Sequence, residues 1–391
     1  MKKQVLLVCP ESPYPVLGGG AQRIASLVEY FAARGCDVDI LTFIPCQAPP
    51  SLVREILCVP LPANGRSLPA RVLRNAGRLV RGVPPLIDRL SGFDAGIRAV
   101  LGARRYDLAV LEHFWVAPYV QLMREFAARL WCDLHNIESQ FFYSVAASSG
   151  PLLNWAHGRF GRLSEKLESD LLPRFDGCLV CSERDAALLP ALPAVVYPNT
   201  IGWFPPSTVE KAPVIVFSGN MEYHPNQQGV RWFFTNVWPS VRKQFPELRW
   251  RLVGMNPDAV RAIVSSDPAV ELTGAVPDAM AEIARAQLSV VPLLSGSGTR
   301  IKILEAWAAG TAVVSTAIGA EGLPPALQIA DGPEAFTQAV LALLRDARGR
   351  DRLAAAGREV YEERFHRQAG WSVLDTHGPG RDLFPDLARD R

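Results

Sequence analysis

The feature that most constrains the fold is a strand–glycine loop–helix unit that opens this 391-residue chain and starts again past its middle. The first copy begins with a short apolar strand, Val5–Val8, and a Pro- and Gly-rich loop, Pro10–Gly20, that ends in three successive glycines. Ala21–Arg34 then has helical spacing, with Ile24, Leu27, Val28 and Phe31 on one face, and Gly35 stops it before the strand Asp37–Phe43. A buried strand, a helix and another buried strand in this order imply a parallel sheet with a right-handed crossover. Ligands of such sheets bind at the carboxyl ends of the strands. Three glycines are more than a tight turn needs, so the backbone is expected to approach something closely at Gly19 and Gly20.

The pattern continues along the chain. Residues 45–105 are rich in Pro and Arg, and Arg66, Arg71, Arg74, Arg78 and Arg81 recur at three- to five-residue spacing with Leu68, Val72, Leu73, Leu79 and Val80 between them. This basic amphipathic stretch suits an anionic membrane surface or an acidic acceptor; the plainer reading, a solvated helix face over the sheet, is slightly favoured. Strands are expected at Leu108–Glu112 and Leu130–Leu134, separated by a helix near Ala117–Ala128, and the run Asp133-Leu134-His135-Asn136-Ile137-Glu138 falls at a strand end. A His placed there among Asp, Asn and Glu is a candidate for a polar contact with substrate. A helix over 150–172, a strand Cys178–Cys181, a helix Glu183–Leu189 and a strand Ala194–Tyr197 lead into Pro193, Pro198, Pro205 and Pro206, which place a domain boundary near residue 205.

The second copy begins with the strand Val214–Phe217, followed by Ser218, Gly219 and Asn220. A long helix near Asn226–Phe245 comes next, then strands Arg249–Val253, ending at Gly254, and Val270–Leu272, a helix Met280–Ala286 and a strand Leu288–Pro292. The chain therefore reads as two doubly wound α/β domains facing across a cleft, residues 1–205 and 206–365. Helices at Pro333–Leu344 and Arg352–Phe365 close it, and 366–391 is expected to cross back to the first domain and end in a polar tail from 376.

Ser295–Gly322 carries the strongest chemical signal. Its small-residue loop, Ser295 to Thr299 with Ser297 and Gly298, feeds a helix from Arg300 to Ala309 that Gly310 stops, and a strand Ala312–Thr316 follows. Free backbone N–H groups and the positive end of a helix dipole suit a phosphate. Arg300 and Lys302 add two cations, and Glu305 sits one turn further in, where its carboxylate can accept hydroxyls from a sugar ring. A loop before a helix is common, so this stretch alone leaves an ordinary turn and a sugar-nucleotide cradle both open.

Composition excludes several classes. Hydrophobic content is 49% and charged content 20%, as in a globular protein with sizeable cores, and a net charge of +2 carries no nucleic-acid signature. The apolar run Val5–Cys9 meets Pro10 and is too short for an export signal or a membrane span. Seven scattered cysteines are expected to be free thiols in a reducing compartment, and the Cys178/Cys181 pair, lying in an apolar strand, reads as buried thiols rather than a redox or zinc pair. The expected location is the cytoplasm, peripheral at the inner membrane face if the 66–81 stretch engages lipid.

The ordered set of pieces resembles the family 4 retaining glycosyltransferases of the GT-B fold. Its carriers are Gly19-Gly20-Ala21-Gln22-Arg23, a strand ending at His135, Val180-Cys181-Ser182-Glu183, Pro198-Asn199-Thr200-Ile201 with Phe204, and Leu304-Glu305-Ala306-Trp307-Ala308-Ala309-Gly310 before Val313-Val314. The resemblance implies a metal-free, cofactor-free enzyme that uses a nucleotide sugar as co-substrate and a glycan or lipid-linked acceptor. It implies that Glu305 bonds the ribose, that amides at Gly298 and Thr299 hold the diphosphate, and that His135 contacts the transferred sugar. Gly219, Asn220 and Gly254 would line the donor side, with Gly19, Gly20 and Asn136 on the acceptor side. Two departures stand out: Ser297 replaces the first motif glutamate, and the Arg and Lys expected after Val214–Phe217 are absent from Gly219–Asn226. Arg300 and Lys302 are expected to supply that charge. A non-catalytic partner subunit, or another GT-B enzyme such as a sugar-nucleotide epimerase, fits the same pieces.

Overall fold

The computed structural model describes residues 2–16, 18–62, 67–147, 150–190, 192–206, 209–296 and 300–384. The chain divides into two compact units, Met1–Asn199 with Gly370–Arg391, and Thr200–Ala369. The change of unit thus falls at Asn199/Thr200 and at Ala369/Gly370, where the sequence reading placed it at 205 and 365.

The first unit is a seven-stranded parallel sheet. Its strands are β1 Gln4–Cys9, β2 Asp37–Thr42, β3 Glu55–Cys58, β4 Tyr106–Glu112, β5 Ala127–Asp133, β6 Gly177–Val180 and β7 Ala194–Val196. They lie in the order β3-β2-β1-β4-β5-β6-β7. Leu6 and Val8 bury into one apolar layer while Val5, Leu7 and Cys9 bury into the other. That two-sided burial is why the strands read as continuous apolar runs. The helix Gly19–Ala33 packs Ile24, Leu27, Val28 and Phe31 on the second layer, and Gly35 ends it with φ +75°.

Two expectations in this unit are corrected. The helix expected at Ala117–Ala128 is a 3₁₀ segment, Phe114–Tyr119, and one helical turn, Val120–Met123, while Ala127 and Ala128 already belong to β5. Pro118 lacks an N–H to continue a regular ladder there. The stretch expected as a polar tail instead contains the end of a helix, Arg367–Thr376, and a short helix, Pro379–Leu383. Leu374 and Leu383 are buried in the second layer, and Asp375 accepts from Tyr30 Oη at 2.8 Å and from Arg34 Nη2 at 2.6 Å.

The second unit is a six-stranded parallel sheet: β8 Ala212–Ser218, β9 Arg249–Val253, β10 Val270–Gly274, β11 Ala286–Val291, β12 Ala312–Ser315 and β13 Gln328–Ile329. The order is β10-β9-β8-β11-β12-β13. The long helix expected after β8 is two helices, His224–Asn236 and Trp238–Gln244, because Pro239 removes one N–H from the ladder. The helix Ile301–Ala308 ends as expected at Gly310, φ +64°. Gly310 donates to the Trp307 carbonyl at 3.0 Å and Thr311 to the Ala306 carbonyl at 2.8 Å, a Schellman closure that satisfies two terminal carbonyls.

Candidate functional site

In both sheets the strand order runs outward from one central pair, β1/β4 in the first unit and β8/β11 in the second. Loops leave that pair in opposite directions, and the gap between them is where such sheets take ligands.

In the second unit the gap is edged by Ser218–Asn220 after β8 and by the residues after β11. Gly219 has φ +145° and Gly254, at the end of β9, has φ +137°. The two backbones nearly touch, since a Cβ on Gly254 would fall 2.1 Å from the Gly219 carbonyl oxygen. A Cβ on Gly219 would meet Asn226 Nδ2 at 2.8 Å and Lys302 Nζ at 3.1 Å. Asn226 is buried and its amide is fixed from both ends: Nδ2 donates to the Asn220 carbonyl at 2.7 Å, and Oδ1 accepts from Lys302 Nζ at 2.8 Å. Lys302 Nζ also lies 3.9 Å from the centre of the Phe217 ring. Asn220 Oδ1 accepts from Asn256 Nδ2 at 2.9 Å and from the Glu222 N–H at 3.0 Å.

The electrostatics of this corner are set by burial. Desolvation pushes Lys302 down to about 7, against the attraction of Glu305 and with the repulsion of Arg300. Desolvation raises the Glu305 carboxyl, opposed by Lys302 and by Ser218, whose hydroxyl donates to Glu305 Oε2 at 3.3 Å. Arg300 stands at the N-cap of the helix Ile301–Ala308 and is buried rather than solvent-facing. Its guanidinium packs 3.2 Å from a Cβ position on Gly296, and Nη2 donates to the Ile318 carbonyl at 3.4 Å. The structure therefore brings Gly219, Asn220, Gly254, Lys302 and Glu305 into one corner, with Arg300 at the mouth of the same helix. Ser297, Gly298 and Thr299, expected in the donor cradle, lie outside the described residues. A buried lysine in the first turn of a helix, beside a retained carboxylate, can bind a diphosphate and a hydroxyl-bearing ring.

In the first unit the gap between β1 and β4 holds a second buried polar cluster. Glu112 and Asp133 are register partners at the ends of β4 and β5. Arg23, from the helix Gly19–Ala33, clamps Asp133 with Nε at 2.9 and 2.7 Å and Nη2 at 2.6 Å, and its Nη1 donates to the Tyr197 carbonyl at 2.7 Å. Burial resists ionisation of Asp133, but Arg23 and His135 together hold it well below the usual carboxylate range. Glu112 goes the other way: burial first, then the Asp133 charge, raise its carboxyl well above the ordinary carboxylate value. His135 Nε2 lies 3.0 Å from Glu112 Oε2, and burial, with repulsion from His113, lowers it to about 4 despite the pull of Asp133.

His113, which the sequence reading passed over, lies at the centre of this cluster. Its backbone has φ +66°, and its ring is sandwiched between Trp115 at 4.0 Å and His135 at 3.6 Å between centroids. The ring is buried, and neither of its nitrogens makes a hydrogen bond among the described residues. Glu11 Oε2 is 3.6 Å from Nε2, and His113 holds the Glu11 carboxyl below its ordinary value. Gly20 borders the same pair: a Cβ there would fall 2.5 Å from Glu11 Oε2 and 3.6 Å from His113 Nε2. Trp115 Nε1 donates to Glu138 Oε2 at 2.9 Å, which also accepts from Asn136 Nδ2 at 3.4 Å. Glu112, Asp133 and His135 offer donor atoms within 4.8 Å of one another, a spacing a metal ion would accept. Arg23 already occupies both Asp133 oxygens, so a cation there would face a guanidinium, and the set is built as an ion-pair network.

Of the residues missed from sequence, Arg23 had a signal: a charge inside the apolar stripe of an amphipathic helix. Glu112 and Asp133 each end an apolar strand run with an acid. Glu11 and His113 had no signal that separates them from ordinary loop residues.

Residues 18–200 match the glycosyl transferase 4-like domain model, and residues 212–346 match the glycosyl transferases group 1 model. An uncharacterized 44.6 kDa protein in the cps region of Klebsiella pneumoniae is 22% identical over 343 residues, 82% of this chain and 84% of that protein. Among solved structures, sucrose-phosphate synthase from Thermosynechococcus elongatus superposes with a TM-score of 0.72 at 18% identity, over 98% of this chain and 100% of that one. WaaG, a glycosyltransferase involved in lipopolysaccharide biosynthesis, gives 0.67 at 14% identity over 96% and 100%. Anabaena HepE, solved with UDP and glucose, gives 0.60 at 15% identity over 95% and 98%.

Proposed function

The chain is a family 4-like member of the glycosyl transferases group 1 with the GT-B fold, and from that premise we propose that it moves a sugar from a nucleoside-diphosphate sugar to an acceptor hydroxyl with retention. The observation that carries the reading is the corner of Lys302, Asn226, Gly219 and Glu305 at the switch point of the second unit. The diphosphate lies against Lys302 and the first-turn amides of the helix Ile301–Ala308, and Glu305 takes the ribose hydroxyls. The bond between the anomeric carbon and the phosphate oxygen breaks, the electron pair leaves with the diphosphate, and Lys302 and Arg300 stabilise that charge. The acceptor oxygen bonds to the same face of the carbon, and its proton leaves with the diphosphate. Side chains and amides supply the neutralisation, so the reaction proceeds without a metal ion.

The Glu11–His113–His135 cluster of the first unit is the acceptor side. The relatives in a cps region and in lipopolysaccharide biosynthesis support an acceptor in cell-envelope glycan assembly, glycan or lipid-linked, with the enzyme working peripherally at the inner membrane face. UDP stands first among the nucleotides to test, because HepE was solved with UDP and glucose.

A thermal-shift screen with UDP-, GDP- and ADP-sugars tests the donor, since a ligand of the native state raises the melting temperature. Anomeric NMR of the product then reads retention. A donor that shifts melting but never turns over, with any envelope acceptor fraction, would mark a binding subunit instead, the outcome that Ser297 in the motif position invites.

A further inference from the structure

We infer that Arg358 is a positioning residue for the donor corner: it fixes the far end of the helix Ile301–Ala308 to residues 202–204, and through that helix holds Lys302 and Glu305 in place. The helix is two turns of hydrogen-bonded backbone and moves as a rod, so whatever holds its last turn also sets its first. Lys302 is its second residue and Ala308 its last, about 9 Å apart along the axis at about 1.5 Å per residue.

The last carbonyls of a helix must find donors beyond its end. Ala309 donates to the Glu305 carbonyl at 2.9 Å, and the Schellman closure takes those of Ala306 and Trp307. Ala308 is left, and Arg358 Nη1, from the helix Ala347–Val360, donates to it. The same Nη1 donates to the Phe204 carbonyl at 2.8 Å, and Nε donates to Glu362 Oε1 at 2.6 Å. The guanidinium lies 4.7 Å from the centre of the Trp203 ring and 5.1 Å from that of Tyr361. Several partners around a planar group with two aromatic neighbours suit arginine better than an ammonium. Gly357 brings the arginine this close. A Cβ there would fall 2.2 Å from Trp307 Cδ1, so the backbone rests directly on the Trp307 indole.

The segment that Arg358 grips is itself fixed. The Ile201 N–H donates to the Phe365 carbonyl at 3.0 Å, and the Ile201 carbonyl accepts from the Arg367 N–H at 3.2 Å. Tyr361 Oη donates to the Gly202 carbonyl at 2.7 Å. Residues 201–204 and 361–367 are thus tied together, and Arg358 joins them to the end of the donor helix. Lys211 offers a comparison. Its Nζ donates to the Gly310 carbonyl at 3.1 Å and to Thr311 Oγ1 at 3.0 Å, and it makes no hydrogen bond to 201–204 among the described residues. At the near end, Lys302 bonds Asn226 Oδ1 and faces the Phe217 ring, with Glu305 and Arg300 as its charged neighbours. A shift of the helix changes that burial first, so Lys302 reports where the helix stands.

The chain has six lysines, few enough to follow each ammonium by NMR of the full, lysine-labelled chain without ligand. Lys302→Gln and Lys211→Met assign the two signals concerned. In Arg358→Met the Lys302 midpoint should rise by about one pH unit toward the ordinary lysine value, as burial loosens. Arg358→Lys, which keeps a cation and its donors, should restore most of the wild-type midpoint. Lys211→Met should lower stability to urea and leave Lys302 unmoved. If Arg358→Met does not fold, Arg358→Gln replaces it, since its amide reaches at most one of the two carbonyls. An unchanged Lys302 midpoint in a folded Arg358 variant overturns the inference. So does an equal rise in Lys211→Met, which would reduce Arg358 to a helix cap. The inference rests on the glycosyl-transfer reading only for what the corner binds. Whichever of the UDP-, GDP- or ADP-sugars stabilises the unmutated chain should bind Arg358→Met about tenfold more weakly, and unchanged affinity there would also overturn it. A moved Lys302 in a chain that no nucleotide sugar stabilises would sink the catalytic reading and leave this one standing.

Discussion

The Gly219 carbonyl oxygen occupies the space that any side chain on Gly254 would need, 2.1 Å from its Cβ position. The contact joins the ends of β8 and β9, and both glycines have φ values that L side chains rarely adopt. Gly254→Ala must therefore move β9 or the Gly219 turn, and the Gly219 turn positions Lys302 and Asn226. We expect a loss of more than about 2 kcal/mol of stability by urea unfolding. Any folded fraction should show no nucleotide-sugar thermal shift. Wild-type stability and donor response in this variant would show that the close approach is dispensable.

Lys302 gives a prediction with opposite signs for stability and binding. Its folded pKa is about 7, below that of an unfolded lysine. The unfolded chain binds the extra proton between those values, so this group makes stability rise with pH from about 7 to about 10.4. Lys302→Gln keeps a donor for Asn226 Oδ1 and removes the charge. It should raise the melting temperature at pH 7 and erase that part of the pH slope. Donor affinity should fall by about 1.5–3 kcal/mol, the range for a hydrogen bond to a charged group. A bound diphosphate favours the ammonium form, so wild-type affinity should weaken from pH 7 to pH 9. Calorimetry in buffers of different ionisation enthalpy should detect the proton taken up.

The doubled α/β plan was legible because both sheets are buried on two faces and each strand is a compact apolar run between glycines or prolines. β3, β13 and several short helices were not, since Glu55–Cys58 and Gln328–Ile329 are edge strands with partly exposed residues and weak periodicity. The segment from 376 read as a polar tail because Leu383 and Phe384 are a short apolar pair in polar sequence, and burial of Leu383 depends on a partner distant in sequence, the layer that holds Tyr30 and Phe31.

The two sites differed for a related reason. Lys302 and Glu305 sit three apart on one helix, so a local pattern sufficed to pair them. Glu11, Arg23, Glu112, His113, Asp133 and His135 come together from the ends of three strands and the loop and helix after the first, and sequence spacing says nothing about that convergence. It offered His135 alone. The Arg and Lys missing after β8 were a departure visible in sequence. Lys302 beside Gly219, at 3.1 Å from its Cβ position, shows where one cation now stands.

His135 should give an acid-stability signature. Its folded pKa is about 4 against about 6.5 unfolded, so the unfolded state binds more protons in that window and stability falls as pH drops through it. The raised Glu112 carboxyl acts in the opposite sense above the ordinary carboxylate pKa, so the wild-type curve carries both contributions. The difference between wild type and His135→Asn isolates the term: the variant should gain on the order of 3 kcal/mol relative to wild type between pH 6.5 and pH 4. Urea unfolding at half-unit pH steps would read it, and parallel curves would remove the buried, uncharged imidazole from the account.

Arg23 and Asp133 form the ion pair under that cluster, with both side chains almost wholly buried. Removing one partner leaves a buried charge, which costs about 3–5 kcal/mol. Arg23→Met should reach that range at pH 7. The loss should shrink as pH falls towards and through the ordinary aspartate range, because burial raises the unpaired Asp133 carboxyl and it takes a proton there. The paired change Arg23→Met with Asp133→Leu should recover most of the stability. A double variant no better than the single one would show that the pair does more than neutralise itself.

His113 separates stability from chemistry most sharply. Its ring stacks between Trp115 and His135, and its two nitrogens are buried without a hydrogen bond among the described residues. Phenylalanine fits the same stack and carries no polar atoms to desolvate, so His113→Phe should melt at or above the wild-type temperature. If the nitrogens exist to meet an acceptor hydroxyl, transfer should fall about a hundredfold or more, the usual scale for a lost acid–base group. Nucleotide-sugar thermal shifts should be unchanged, because the donor corner lies in the other unit. The same variant should release the Glu11 carboxyl upward toward its ordinary pKa, since His113 is what holds it down. A stable His113→Phe enzyme with wild-type transfer would reduce the sandwich to packing.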